Sequence, residues 1–475
     1  MINKKVPKFG QKEGKRWCSP VMACSWILII MWIAFLAYCW RSGLVDQIKT
    51  NLRTNSPDPA VPADSTREVE KLPPQVVFEA PEEDGQMHVV FSTDCSGYQN
   101  WQTLLLFHSA QVVGQKGRIT RIASGCDATQ QAELTALYKK LYPKYGAHFT
   151  PDFKNDAKTN KKYDFYNKPW GMKHWLENAV PAIPPNTIIA LLDPDMIFVR
   201  PLGPQIRGDI SLLTDRGIKD EEIVDVIGLG HPVSQTYGLG APWTNDNHKK
   251  FNRGKICGEG SPCLQVNMRY GELHYSVGPP YIAHRSDFIR IVESWTTFVP
   301  RVYEDYPYLL AEMYAYSMAA AHEKLPHVQV DNYMVSNTQA GGESWPHVDS
   351  LPQVCVPPDE DGHFYAGLPM TTVIHYCQNY RVGELGFQKR RVPHNIFSCE
   401  SPMMVEPPTD LAAATYKVKS GQKVEMKNAL QTKREAFALC VIHSALNAAL
   451  LDYKKRMCPN DGTTNYAKTL NINAL

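Results

Sequence analysis

The chain reads as an α/β protein: a mostly parallel central sheet flanked by helices, carried on a single N-terminal transmembrane helix. Three observations predict this. The run Thr187–Leu202, TIIALLDPDMIFVRPL, is a short apolar, β-branched stretch that ends in two carboxylates, as a buried parallel strand would. Met87–Asp94 followed by the helically spaced YQNWQTLLLFHSAQVV (Tyr98–Val113) makes a strand, a polar loop and a helix, the opening unit of a nucleotide-binding α/β fold. Val21–Trp40 carries no charge and is long enough to cross a bilayer core.

Taken from the N-terminus, residues 1–19 form a basic tail, with Lys4, Lys5, Lys8, Lys12, Lys15 and Arg16 against Glu13. That excess keeps the tail cytosolic and sends the rest of the chain across the membrane. Residues 20–40 are expected to be an uncleaved signal anchor, since the apolar core is long for a cleaved signal and Trp40 is flanked by no small-residue cleavage site. Residues 41–85 are polar and proline-rich and read as a flexible stem. Residues 86–400 are expected to form the lumenal head, and 401–475 a C-terminal extension whose terminal helix (Lys433–Met457) packs on it.

Composition narrows the function. Net charge is +2, and the cytosolic tail supplies about +5 of it, so no nucleic-acid footprint remains. Of 12 cysteines, Cys18, Cys24 and Cys39 lie in or beside the anchor; the odd remainder implies a free thiol, and Cys257/Cys263 are placed for a local bridge. No CxxC pair, no GxGxxG after a strand, no Walker loop, no GxSxG elbow and no N-x-S/T sequon occur. Zinc-ribbon, dehydrogenase, P-loop and serine-hydrolase readings therefore have no support.

Further strands and helices follow from periodicity. Ile119–Ala123 is a second strand, and Lys168-Pro169-Trp170-Gly171 opens a helix that runs to Ala179. Val277–Ile282 (VGPPYI) reads as a turn, leading to a helix from Ser286 to Trp295 with Ser286 as its cap. Leu309–Ala321 is a helix holding one carboxylate, Glu312, in an apolar surface, where it must pair, stay protonated or serve a site. Thr372–Tyr376 is a late strand with a histidine, His375.

The chemistry centres on Asp193 and Asp195. Alternate residues of an extended segment point the same way, so both can converge beyond the strand's carboxyl end. Hard oxygen donors suit Mg²⁺ or Mn²⁺, with His375 as a further ligand. The spacing alone is weak, because one Asp-x-Asp is expected by chance in a chain of this length; Asp359-Glu360-Asp361, in a proline-rich stretch, reads as a solvated loop.

Long, ordered blocks resemble a known family, the hydroxyproline O-arabinosyltransferases and peptidyl-serine α-galactosyltransferases. FSTDCSGYQNWQTLLLFHSAQVVGQKGRITRIAS is similar to the galactosyltransferase side; YNKPWGMKHWLENAVP and DPDMIFVRPL are similar to the arabinosyltransferase side; LLAEMYAYSMAAA and VIHYCQNY resemble both. The resemblance covers most of residues 87–390. It implies a GT-A-like head on a Golgi type II membrane protein, moving a sugar (arabinofuranose favoured) from a UDP-sugar to hydroxyproline, or galactose to serine, in secreted extensin-like proteins, with retention. Arabinosyltransferases carry Glu-Pro-Asp and galactosyltransferases Asp-Ala-Asp where this chain has Asp193-Pro194-Asp195, so the donor sugar stays open. On this reading Asp193, Asp195 and His375 hold the metal, and Asp193, Asp195 and Glu312 are catalytic. Ser92, Thr93, Asp94, Arg121, Lys168, Trp170 and Asp193 face the donor, and Gly278, Tyr281 and Glu312 the acceptor. A non-catalytic lectin or scaffold is the alternative of another class.

Overall fold

In a computed structural model of the chain, the described residues are 87–155, 161–206, 225–245, 251–414, 417–420, 423–426, 428–459 and 469–470. The expected tail, anchor and stem lie outside them.

Strand β1 (Met87–Asp94) leads through a loop into helix α1 (Gly97–Val112), capped by Ser96. Strand β2 (Ile119–Ser124), helix α2 (Ala128–Leu141) and strand β3 (Tyr145–Thr150) complete two crossovers, so that β3, β2 and β1 pair in parallel. Helix α3 (Asn167–Asn178) precedes β4 (Ile188–Leu192), which joins β1 in parallel from the other side. Beyond β4 the chain leaves this sheet as β5 (Met196–Phe198). Strands β6 (Val233–Thr236) and β7 (Val277–His284), helices α4 (Arg285–Asp305) and α5 (Ala311–His322), and β8 (Val328–Val330) finish the main sheet. Its order is β3-β2-β1-β4-β7-β6-β8, with β7 antiparallel to both neighbours. The result is a mixed α/β domain with a mostly parallel seven-stranded sheet.

The strands are apolar on both faces because both are covered. Val90, Ile122, Ile189 and Leu191 face Met172 and Trp175 of α3 and the apolar sides of α4 and α5. Val89, Phe91, Ala190 and Leu192, one residue out of phase, face Leu104, Leu106 and Phe107 of α1 and Tyr138 of α2. A smaller sheet of β5, β9 (Met334–Val335) and β10 (Val373–His375) packs with helix α6 (Ala429–Met457) in a third cluster. Helix α6 is long and apolar enough to span a membrane, yet 72% of that window is buried inside the protein, so it is a core helix and not a membrane-surface one. The disulfides Cys355–Cys440 and Cys399–Cys458 fasten its middle and its C-terminal end.

Two expectations need correction. Val277–Ile282 is not a turn but most of β7, where Pro279 and Pro280 sit opposite a register shift at Ser234/Gln235, an irregularity that tolerates the missing donors. The following helix begins at Arg285, with His284 as cap: its Nδ1 accepts from the Ser286 amide at 3.2 Å. The α2–β3 unit has no counterpart in the sequence reading. Cys257–Cys263 does form the anticipated bridge, Cys95–Cys126 is a fourth, and Cys377 is the free thiol among the described residues.

Candidate active site

Asp193 follows the last residue of β4, and Asp195 precedes β5, so the Asp-Pro-Asp turn is where the chain passes from the large sheet to the small one. The register of the small sheet then fixes His375. Strand β10 runs antiparallel to β5 with His375 opposite Met196, and the Tyr376 amide donates to the Asp195 carbonyl at 3.0 Å. His375 Nε2 consequently lies 3.2 Å from Asp195 Oδ1 and 3.8 Å from Asp193 Oδ2. One donor atom from each of the three falls within 4.8 Å of the others.

Two lysines balance these carboxylates. Lys168, in the first turn of α3, donates to Asp193 Oδ1 at 2.8 Å and to Glu312 Oε1 at 2.9 Å. Lys389, 194 residues beyond Asp195, caps Asp195 Oδ2. Burial would raise the Asp195 pKa, but His375 and Lys389 hold it well below the usual carboxylate range. Burial opposes charge on His375, and Cys377 and Asp195 overcome it, pushing the imidazole well above its ordinary value. Lys168 is likewise desolvated, yet Asp193 and Glu312 keep it firmly protonated. For Glu312 burial dominates, and Lys168 offsets it only in part, so its pKa is raised.

The set fits a hard divalent cation. It offers two carboxylates and an imidazole at ligating separation, a combination suited to Mn²⁺ or Mg²⁺. Glu312 Oε2, Tyr281 Oη and His375 Nδ1 are buried without a hydrogen-bond partner, polar atoms left over beside the charged cluster.

The other sequence-predicted residues fall in two groups. Ser92, Thr93 and Asp94 end β1 at the same sheet edge. Ser92 Oγ donates to the Asn167 carbonyl at 3.2 Å, one residue before Lys168. Asp94 accepts from the amide and hydroxyl of Ser96 and faces Lys154 at 3.5 Å. Trp170 is half-buried with its ring 6.2 Å from that of Phe153.

Arg121, Gly278 and Tyr281 are held by packing and hydrogen bonds around the cluster. Arg121 is fully buried; it donates to Thr93 Oγ1 at 2.7 Å, to Tyr138 Oη and to the Asp94 carbonyl at 2.7 Å, so it fixes the end of β1. A Cβ on Gly278 would meet the Tyr237 ring at 2.5 Å, so Gly278 is a close-packing position beneath that ring. Tyr281 is buried on β7, its ring 3.9 Å from Tyr316 and 5.7 Å from Lys168 Nζ, and forms the floor under the lysine.

Two residues escaped the sequence reading. Lys389 stands in Lys389-Arg390-Arg391, which looks like a solvated basic run. Tyr237, half-buried with its pKa pushed up to about 12 by burial, feels His375, Asp193 and Asp195. By contrast Asp359, Glu360 and Asp361 are exposed, and Asp359 accepts from the amides of Asp361 and His363 and faces the His363 ring at 3.8 Å.

Fold and site thus define an α/β protein with a buried, cation-ready carboxylate cluster at the carboxyl ends of its parallel strands. Comparison with known proteins makes the class particular. Curated relatives are named peptidyl serine alpha-galactosyltransferase: one from Chlamydomonas reinhardtii is 24% identical over 392 residues, covering 78% of this chain and 46% of the relative. Another, from Arabidopsis thaliana, is 26% identical over 278 residues, covering 55% of this chain and 30% of the relative. The chain is a relative of these glycosyltransferases, as its sequence blocks indicate, and spans less than half their length. No family model matches it. A solved galactosyltransferase, LgtC in complex with donor and acceptor sugar analogs, overlaps 62% of this chain and 87% of its own at 10% identity and a TM-score of 0.32, too loosely to carry an argument.

Proposed function

We propose that the protein is a metal-dependent, GT-A-like glycosyltransferase that moves a sugar from a UDP-sugar to a hydroxyl of a secreted peptide. The observation that carries this reading is the convergence of Asp193, Asp195 and His375 beside the buried Lys168–Glu312 pair. A divalent cation held by Asp193, Asp195 and His375 would neutralise charge building on a departing diphosphate. Lys389, already at Asp195, adds a second cation at the same edge. Ser92, Thr93 and Asp94, braced by Arg121, stand where a uridine would lie. Glu312, kept 2.9 Å from Lys168, presents its second oxygen to the donor sugar or the acceptor hydroxyl.

The names of the relatives favour galactose on serine; the arabinosyltransferase-like blocks keep arabinofuranose on hydroxyproline as the second reading. Four disulfides suit an oxidising lumen, in keeping with a type II anchor and a Golgi location.

The test is direct. Full-length protein with Mn²⁺, a panel of UDP-sugars and serine- or hydroxyproline-containing peptides is followed by mass. A hexose on serine supports the first reading and a pentose on hydroxyproline the second. No transfer, with no metal-dependent UDP binding, would sink both and leave a non-catalytic scaffold.

A further inference from the structure

A metal-ligating imidazole is usually steered from behind, by a carboxylate or carbonyl on its second ring nitrogen. His375 is held differently. Its Nε2 faces Asp195 and Asp193, while Nδ1 is buried and has no hydrogen-bond partner among the described residues. The Cys377 thiol bears on the ring, but sulfur is a weak hydrogen-bonding partner. The aim of the imidazole therefore depends on how firmly the backbone of His375 is fixed.

One side of that backbone is secured by β5, where His375 lies opposite Met196. The other side outruns its neighbour. Strands β9 and β10 pair in parallel, Val373 opposite Met334 and Ile374 opposite Val335, and the ladder ends there. One step further, the same register would set His375 opposite Ser336. Tyr380, 2% exposed, fills this missing rung. Its hydroxyl lies 2.8 Å from the Ser336 carbonyl and 3.2 Å from the His375 carbonyl, one proton shared between two acceptors.

Both partners of this hydroxyl are pinned in turn. The amide and hydroxyl of Ser336 donate to the buried Glu343 carboxylate, the hydroxyl at 2.7 Å, and the Asn337 amide joins them at 3.1 Å. Two adjacent residues of α6 hold the flanks. Arg434 donates to the Thr338 carbonyl at 3.0 Å and grips Asp349 through two nitrogens, at 2.9 and 2.5 Å. Glu435 accepts from the Arg381 amide at 3.0 Å, next to Tyr380 in the short strand Tyr380–Val382.

We propose that Tyr380 is a positioning residue of the cation centre: its hydroxyl completes the β9–β10 ladder at His375 and so sets where the imidazole stands relative to Asp195. The inference rests on the metal-dependent reading of the site and adds to it a residue that acts only through His375. Loss of such an outer partner typically lowers metal affinity by about 10–100-fold.

The test uses full-length protein and Mn²⁺ without nucleotide, followed by calorimetry. Tyr380→Phe deletes the hydroxyl and keeps the ring, and is expected to weaken Mn²⁺ binding about tenfold. Tyr365→Phe is the control, because it deletes another hydroxyl that donates to a carbonyl, that of Val354, away from the cluster. It should lower the melting temperature at least as much as Tyr380→Phe while leaving Mn²⁺ affinity as in the wild type. Wild-type Mn²⁺ affinity in Tyr380→Phe overturns the positioning role, and if Mn²⁺-dependent UDP binding persists the transferase reading stands without it. Equal losses of Mn²⁺ affinity in the two variants also overturn it, since general loosening would then suffice. A wild-type protein that binds no Mn²⁺ removes the metal-dependent reading and the positioning role together.

Discussion

Lys389 caps one oxygen of Asp195 while His375 faces the other, so a side-chain ammonium already stands at the carboxylate a divalent cation would use. Lysine and metal then compete. Lys389→Met is expected to raise Mn²⁺ affinity of the nucleotide-free protein severalfold, read by calorimetry or Mn²⁺ electron paramagnetic resonance. Unchanged or weaker Mn²⁺ binding would mean that the two cations do not share Asp195. In the presence of UDP the same variant should lose affinity, because a cation has been removed from the phosphate edge.

Removing a ligand acts in the opposite sense. Asp195→Asn or His375→Ala should weaken Mn²⁺ binding at least about tenfold and lower transfer by about a hundredfold or more, since both side chains converge on one point. Full Mn²⁺ affinity in His375→Ala would remove His375 from the ligand set.

Lys168 is a stability element as well as a site residue. Lys168→Met leaves Asp193 and buried Glu312 facing each other without a cation, and should cost about 3–5 kcal/mol in denaturant unfolding. Adding Glu312→Gln should return part of it by removing one of the two unpaired charges. A double variant no more stable than Lys168→Met alone would contradict this coupling.

Part of the acid response is expected from histidines outside the Asp193–Asp195–His375 cluster. His148 on β3 lies 2.8 Å from His174 on α3, and burial followed by repulsion from His174 lowers its pKa to about 3. His327, buried on Tyr316, is lowered to about 3 by burial. Unfolded, each takes a proton near pH 6.5, whereas the folded protein resists until about 3. Stability therefore falls as pH drops from 6.5 towards 3, and is untouched above that window. His148→Gln should flatten this slope in part, leaving the share of His327, as read from melting temperatures at pH 7 and pH 5. An identical slope in the variant would assign it elsewhere.

What could be read from sequence, and what could not, follows from how far each signal travels along the chain. The β4 run with Asp193 and Asp195 is contiguous, and β10 with His375 is a compact apolar strand, so the cluster these three form was legible. Helix α2 was not: Leu134, Tyr138 and Leu141 are its buried side chains, too thin a stripe for periodicity. Its Asp127–Gln130 capping box was the signal that could have found it. Lys389 resembles its exposed neighbours Arg390 and Arg391, and only the tertiary fold brings it to Asp195, 194 residues away. Gly278-Pro279-Pro280 carries turn chemistry, but the irregular register between β6 and β7 accommodates it within a strand.

The Asp-Pro-Asp turn belongs to neither sheet, and this has a mechanical consequence. Asp193 is anchored by the seven-stranded sheet, whereas His375 rides on the three-stranded one. An ion shared by both would act as a rivet across the seam, resisting any sliding of one sheet past the other. Filling the site would thus stiffen the joint between them as well as prepare it for chemistry, and amide exchange along Met196–Phe198 and Val373–His375 would slow together.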